Sequence, residues 1–233
     1  MNKTIPLAVG ALILAAGVFW YMQRDTAPVS AENTPEPQAT TTPVQEVVVD
    51  KTKTILGKSV QGRDIVAYHF GEGEKEILFV GGMHGGYSWN TSMLGFELMD
   101  YYKTNVASLP KTAKVTVIPV LNPDGLNLVV GTTSRFAKAD VSTSESTRTA
   151  GRFNANEVDL NRNFDCDWKS SGTWQSKEVS GGASVFSEPE AQAFRNYIEN
   201  HEPAAAVVYY SSAGGVFPSQ CGGNPLTETL SLT

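Results

Sequence analysis

Histidine, cysteine and positive charge are all scarce in this chain. Its 233 residues hold three His and two Cys, with 18 Lys plus Arg against 24 Asp plus Glu, for a formal charge of −6. An acidic balance without any basic run gives no electrostatic footprint for nucleic acid or anionic lipid, which excludes nucleic acid as a partner. No internal repeat is present, and no nucleophile-elbow pattern of Gly-x-Ser-x-Gly type surrounds any serine. The length allows one ordinary globular domain with flanking segments, and two domains would be cramped.

What is there begins with an uncharged stretch. Residues 5–22, IPLAVGALILAAGVFWYM, would span roughly 27 Å as a helix, close to a bilayer core of about 30 Å. Residues 1–24 are therefore expected to form a membrane anchor. A cleavable signal segment is the alternative, with the small residues of Val29–Ala31 as its processing site. Lys3 and the terminal amine precede the span, whereas Arg24 after it is offset by Asp25, so the amino terminus is expected inside and the remainder extracytoplasmic, or secreted in the alternative case. Residues 25–50 turn to Thr, Pro, Glu, Gln and Ala, with too little apolar surface to offset the entropy of ordering, and read as a disordered linker.

A folded domain is expected over residues 51–233. DIVAYHF (64–70), EILFV (76–80), KVTVIPV (114–120) and AAAVVYY (204–210) are short β-rich apolar runs and read as strands. Helical patterns lie between them: Asn90 is placed to cap TSMLGFELMDYYK, and Ser187 with Glu190 forms a capping box ahead of AQAFRNYIEN. The Ser/Thr-rich segment 139–149 reads as a surface loop. Strands alternating with helices imply an α/β sheet covered on both faces. Three unusual stretches, GGMHGGYSWN (81–90), LNPDG (121–125) and SSAGGVF (211–217), each follow the carboxyl end of an apolar run. In open α/β sheets ligands sit in that crevice, so one shared cleft is expected.

The motifs resemble, in order, those of the zinc carboxypeptidases of the carboxypeptidase A/B type. GKSVQGRDI (57–65) is similar to the family's opening strand, GGMHG to its first metal-ligand loop, PVLNPDG to its next strand and turn, VDLNRNF (158–164) to its substrate clamp, and SGGASVFSEPEAQAF (180–194) to a helix start. Together they cover residues 51 to about 220, and NPDG followed by VDLNRNF is a specific pairing. The resemblance implies a mixed, largely parallel twisted sheet with helices on both faces, incomplete at its carboxyl end. It also implies one zinc ion and hydrolysis of carboxy-terminal residues from peptides or cell-wall peptide. His84 would be a metal ligand, Asn161 and Arg162 would bind the substrate's terminal carboxylate, and Arg152 would stabilise the oxyanion, with Arg135 the other candidate. An Arg fork suits a carboxylate because it matches it bidentately.

The ligand pattern departs from the family's. Catalytic zinc takes three protein ligands and a water. Here Tyr87 stands where the family has Glu, and Ser211 or Ser212 stands where a second His is expected. His69 falls inside an expected strand and His201 before one, and the family's general-base Glu would lie past Thr233. Dividing a structural zinc site's roughly 10 to 16 kcal/mol equally among four ligands leaves about 3 to 4 for one imidazole, or about millimolar affinity. The alternative is a non-catalytic module that binds peptide carboxyl ends through Asn161 and Arg162; a serine hydrolase using Ser211 or Ser212 is a third reading. Asp124 and Asp159 are expected to bond loop amides. Tyr87, Trp89, Trp168 and Trp174 line a pocket or pack its rim. Cys166 and Cys221, an even count on an oxidising side, are expected to pair.

Overall fold

Alternation of apolar and polar side chains gives strands whose two faces look at different helices. The structure, a computed structural model, describes residues 52–212 and 214–217. The expected anchor and linker therefore lie outside the described residues, as does Cys221. Among the described residues no helix is long and apolar enough to cross a membrane.

Among the described residues seven strands and four α-helices follow one another: β1 (Lys53–Lys58), β2 (Asp64–Phe70), β3 (Lys75–Val80), α1 (Trp89–Asn105), β4 (Ala113–Ile118), α2 (Pro123–Val130), α3 (Glu145–Ala150), β5 (Ser171–Trp174), β6 (Lys177–Ser180), α4 (Pro189–His201) and β7 (Ala205–Val208). Five form one sheet in the order β1-β2-β4-β3-β7. β3 runs parallel to both β4 and β7, while β2 pairs antiparallel with β4 and β1 antiparallel with β2. The mixed α/β sheet expected from sequence is thus present, with β5 and β6 as a separate hairpin.

On one face Ile65, Ala67, Leu78, Val80 and Ile118 pack against Ala193, Phe194 and Tyr197 of α4. The alternate residues Val66 and Tyr68 look at Phe96 and Met99 of α1 on the other face, where α2 adds Leu126 and Val129. This two-sided burial is what makes β3 a nearly continuous apolar run. Register then positions the site: Val80 pairs with Ile118 on one side and Val208 on the other, so three parallel strands end on one line. The loops that leave them start side by side.

Several local expectations are corrected. α1 begins at Trp89, its N-cap Ser88 makes no side-chain bond, and the Asn90 carboxamide oxygen instead accepts from the Ser211 hydroxyl. The Ser187 and Glu190 capping box does not form. Glu188 is the N-cap of α4, and the Glu190 carboxylate is taken by the Val60 amide (3.1 Å) and by Asn154 Nδ2 (3.0 Å). The 139–149 loop contains the start of α3, whose N-cap Ser144 accepts from the Thr147 amide, as a Ser followed by Glu145 permits. β4 stops before Pro119, which has no amide to give the ladder. The β5–β6 hairpin turns at Gln175 and Ser176, both left-handed (φ 48° and 62°), without the glycine that announces such a turn.

Glu190 is fully buried, and burial raises its pKa even though Asn154 and the Val60 amide hold its oxygens. Glu190→Gln keeps the shape, but an amide accepts at only one of those two positions and turns its NH2 on the other donor. A loss of about 1 to 3 kcal/mol in urea unfolding at pH 7 is expected. Because a raised carboxyl pKa favours the native state below it and disfavours it above, the gap between wild type and the non-titrating variant should widen as pH falls toward the unfolded value. A gap that narrows over that range would contradict the assignment.

Candidate functional site

The loops after β3, β4 and β7 meet at the carboxyl edge of the sheet, as their shared line of strand ends requires. Gly85, in a left-handed turn (φ 41°), lies so close to the Gly151 and Gly125 backbones that a Cβ would come within 2.6 Å of Gly151 O. That closeness brings the first loop against the segment carrying Arg152 and leaves His84 buried. His84 Nε2 sits 3.3 Å from Asp159 Oδ1, near enough for attraction but off line for a full hydrogen bond.

Asp159 is the hub of the site. It has no solvent exposure, its Oδ2 accepts from Arg152 Nε (3.1 Å) and Nη2 (2.8 Å), and its Oδ1 accepts from the Asn161 amide (3.2 Å). Burial pushes its pKa up, but the neighbouring His84 and Arg152 outweigh burial and hold it below the ordinary carboxylate value. The expectation that Asp159 bonds a loop amide is met. So is the one for Asp124, whose Oδ2 accepts from the Gln61 amide and whose Oδ1 accepts from Ser59 and Arg63.

Arg152 is buried between charge and rings. Its guanidinium lies 4.4 Å from the Trp174 ring centroid and 5.7 Å from that of Tyr87, and those two rings meet edge to face at 5.0 Å. Tyr87 also accepts a hydrogen bond from Gln175 Nε2 (3.3 Å), so the side chain at the family's Glu position is committed to the hairpin. Arg135 is elsewhere: it pairs with Asp100 and stacks on Phe96 of α1, away from His84.

Arg162 and Asn161 occupy a short 3₁₀ turn, Leu160–Arg162, capped by Asp159. They line a hollow of about 650 Å3 together with Trp168, Cys166 and Tyr210. The Arg162 guanidinium makes only a long 3.5 Å bond to Thr173 O, and among the described residues it has no carboxylate partner. Its charge reaches His84, whose pKa is lowered first by burial and then by Arg152 and Arg162, against the opposing pull of Asp159. Burial thus favours the neutral imidazole; His84 is not in the wall of the hollow that Arg162 lines, and Tyr210 is the side chain that reaches both.

Tyr210 links the two halves and was not foreseen. Its ring packs 5.5 Å from that of His84, and its hydroxyl donates to Asn161 Oδ1 at 2.8 Å. Burial, then the Asp159 charge, pushes the phenol up to about 12. Ser211, by contrast, turns to Asn90, and Ser212 holds a left-handed conformation (φ 55°). The sequence signal for Tyr210 was its place at the end of the fourth apolar run, one residue before the serines.

Among the described residues the donors do not make up a zinc site. A neutral histidine with one nitrogen turned to a buried carboxylate is prepared as a metal ligand usually is. It stands alone, however: both Asp159 oxygens are occupied, and among the described residues no three His, Cys, Asp or Glu side chains gather. His69 is bonded to Thr54 and Thr116, and His201 to the Tyr197 carbonyl. Cys166 is disulfide-bonded, and its expected partner Cys221 is outside the described residues.

Comparison with known proteins agrees with this geometry at the level of family and fold. Residues 48–224 match the zinc carboxypeptidase family. Carboxypeptidase D of Mus musculus is 30% identical over 122 residues, covering 47% of this chain and 8% of that protein. Carboxypeptidase B of Helicoverpa zea is 27% identical over 161 residues, covering 66% of this chain and 36% of that protein. The chain thus spans only a minor part of these relatives. Among solved structures, carboxypeptidase A from Helicoverpa armigera superposes with a TM-score of 0.50 at 24% identity, over 67% of this chain and 40% of the other. Bovine thrombin-activatable fibrinolysis inhibitor, in complex with tick carboxypeptidase inhibitor, gives 0.52 at 20% identity, over 77% and 61%.

Proposed function

Since the chain belongs to the zinc carboxypeptidase family, we propose that its domain recognises the free carboxyl end of a peptide, such as a cell-wall peptide, through Arg162 and Asn161. One observation carries the reading: a guanidinium without a carboxylate partner among the described residues lines an open hollow beside an asparagine amide. The guanidinium is free to meet an anion from outside, and its planar fork takes a carboxylate bidentately. Zinc-assisted hydrolysis of the bound peptide is the second reading, favoured by family membership and by the His84 and Asp159 pair; the described residues do not supply the remaining ligands.

The test is a pair of peptides that differ only in a free or amidated carboxyl end, titrated into the purified chain by calorimetry. The free acid is expected to bind at least about tenfold more tightly, as a hydrogen bond to a charged group implies. Equal affinity for the two would sink the proposal. Release of a terminal amino acid from the free acid, sensitive to EDTA, would decide for the second reading.

A further inference from the structure

Around His84 the charges favour an anion. Arg152 and Arg162 contribute two positive charges and Asp159 one negative, a net +1 before the imidazole is counted, while Lys169 and Asp167 in the wall of the hollow offset each other. A divalent cation at that place would meet two guanidiniums and a single free imidazole. The third loop, which the parallel register carries to His84, presents a phenol there: the Tyr210 ring packs against the imidazole, tilted by 56° with centroids 5.5 Å apart.

The same phenol fixes what Asn161 can offer. By donating to Oδ1 at 2.8 Å, Tyr210 ties down the amide's acceptor end. Asn161 Nδ2 has no partner among the described residues, and its side chain lines the hollow with Arg162. An amide flipped the other way would bring its oxygen toward the ligand and repel a carboxylate. Resting on the function proposed above, we infer that Tyr210 is a positioning residue that organises this seat in place of a metal, turning the Asn161 amide so that a peptide's carboxyl end is held without a divalent cation.

The inference is tested on the full chain with the same peptide pair. After dialysis against EDTA, and again with added zinc chloride, the affinity for the free acid is expected to stay within about twofold, with metal content by mass spectrometry well below one per chain. Tyr210→Phe keeps the ring against His84 and loses only the hydroxyl. It should reduce the ratio of free-acid to amide affinity about five- to tenfold, while Asn161→Ala should have the same effect alone and no further effect in the Tyr210→Phe background. A merely structural role for Tyr210 would lower the thermal midpoint without moving that ratio. Stoichiometric zinc, loss of binding in EDTA, or an unchanged ratio in Tyr210→Phe would overturn the inference. A wild type that ignores the difference between acid and amide would instead overturn the proposed function itself.

Discussion

Asp159→Asn is expected to cost the domain about 3 to 5 kcal/mol, because removing one partner of a buried ion pair leaves the other charge uncompensated. Arg152 keeps its place in the interior, flanked by Trp174 and Tyr87, with no anion to meet. An asparagine oxygen could still accept from it, but the NH2 would then face the Asn161 amide and His84 in a space built for acceptors. Urea unfolding with an unchanged slope measures the loss. Arg152→Met combined with Asp159→Asn should lose clearly less than the sum of the two single changes, since no buried charge then stands alone. The carboxyl pKa of Asp159 is held low in the native state, so its stabilising contribution is present above the unfolded value and fades as pH falls through the folded one. The Asn variant should lack that part of the acid limb. A loss under about 1 kcal/mol would mean that the pair is solvated and that Asp159 is no hub.

Arg162→Met is expected to act on binding alone. Truncating one side of a hydrogen-bonded charge pair costs about 2 to 5 kcal/mol, or about 30-fold and upward in affinity for the free-acid peptide. The methionine keeps the length of the stem against Gly172 while removing the fork. Arg162→Lys restores charge without planar geometry and should fall between the two. Thermal stability should move little in either, because in the unliganded protein the guanidinium holds only one long bond to a carbonyl. Calorimetry with the acid and amide peptides checks the pattern, and an Arg162→Met chain that still prefers the acid would remove Arg162 from the site.

The parts of this site legible in the sequence were those coded by short local patterns. His84 in its glycine frame and the Asn161 and Arg162 turn could be read because each sits within a few residues of its own signature, and the sheet because apolar runs alternate with helical stretches. Asn90 looked like a cap for the same local reason, yet Ser211, far along the chain, claims its oxygen. Tyr210 was missed because its role exists only once the third loop reaches the first. The turn at Gln175 and Ser176 went unseen because its left-handed residues are not glycines, and α3 because a Ser/Thr-rich composition also describes a loop. Arg152 and the other candidate, Arg135, differ in place: Arg152 is buried beside Asp159, and Arg135 pairs with Asp100 of α1.

The contact between Arg152 and Trp174 has an optical consequence. An indole whose ring centre lies 4.4 Å from a buried guanidinium senses the field of that cation. Its emission colour is therefore tied to whether the charged interior is shut or flooded, and the molecule carries its own gauge of that state without any added dye.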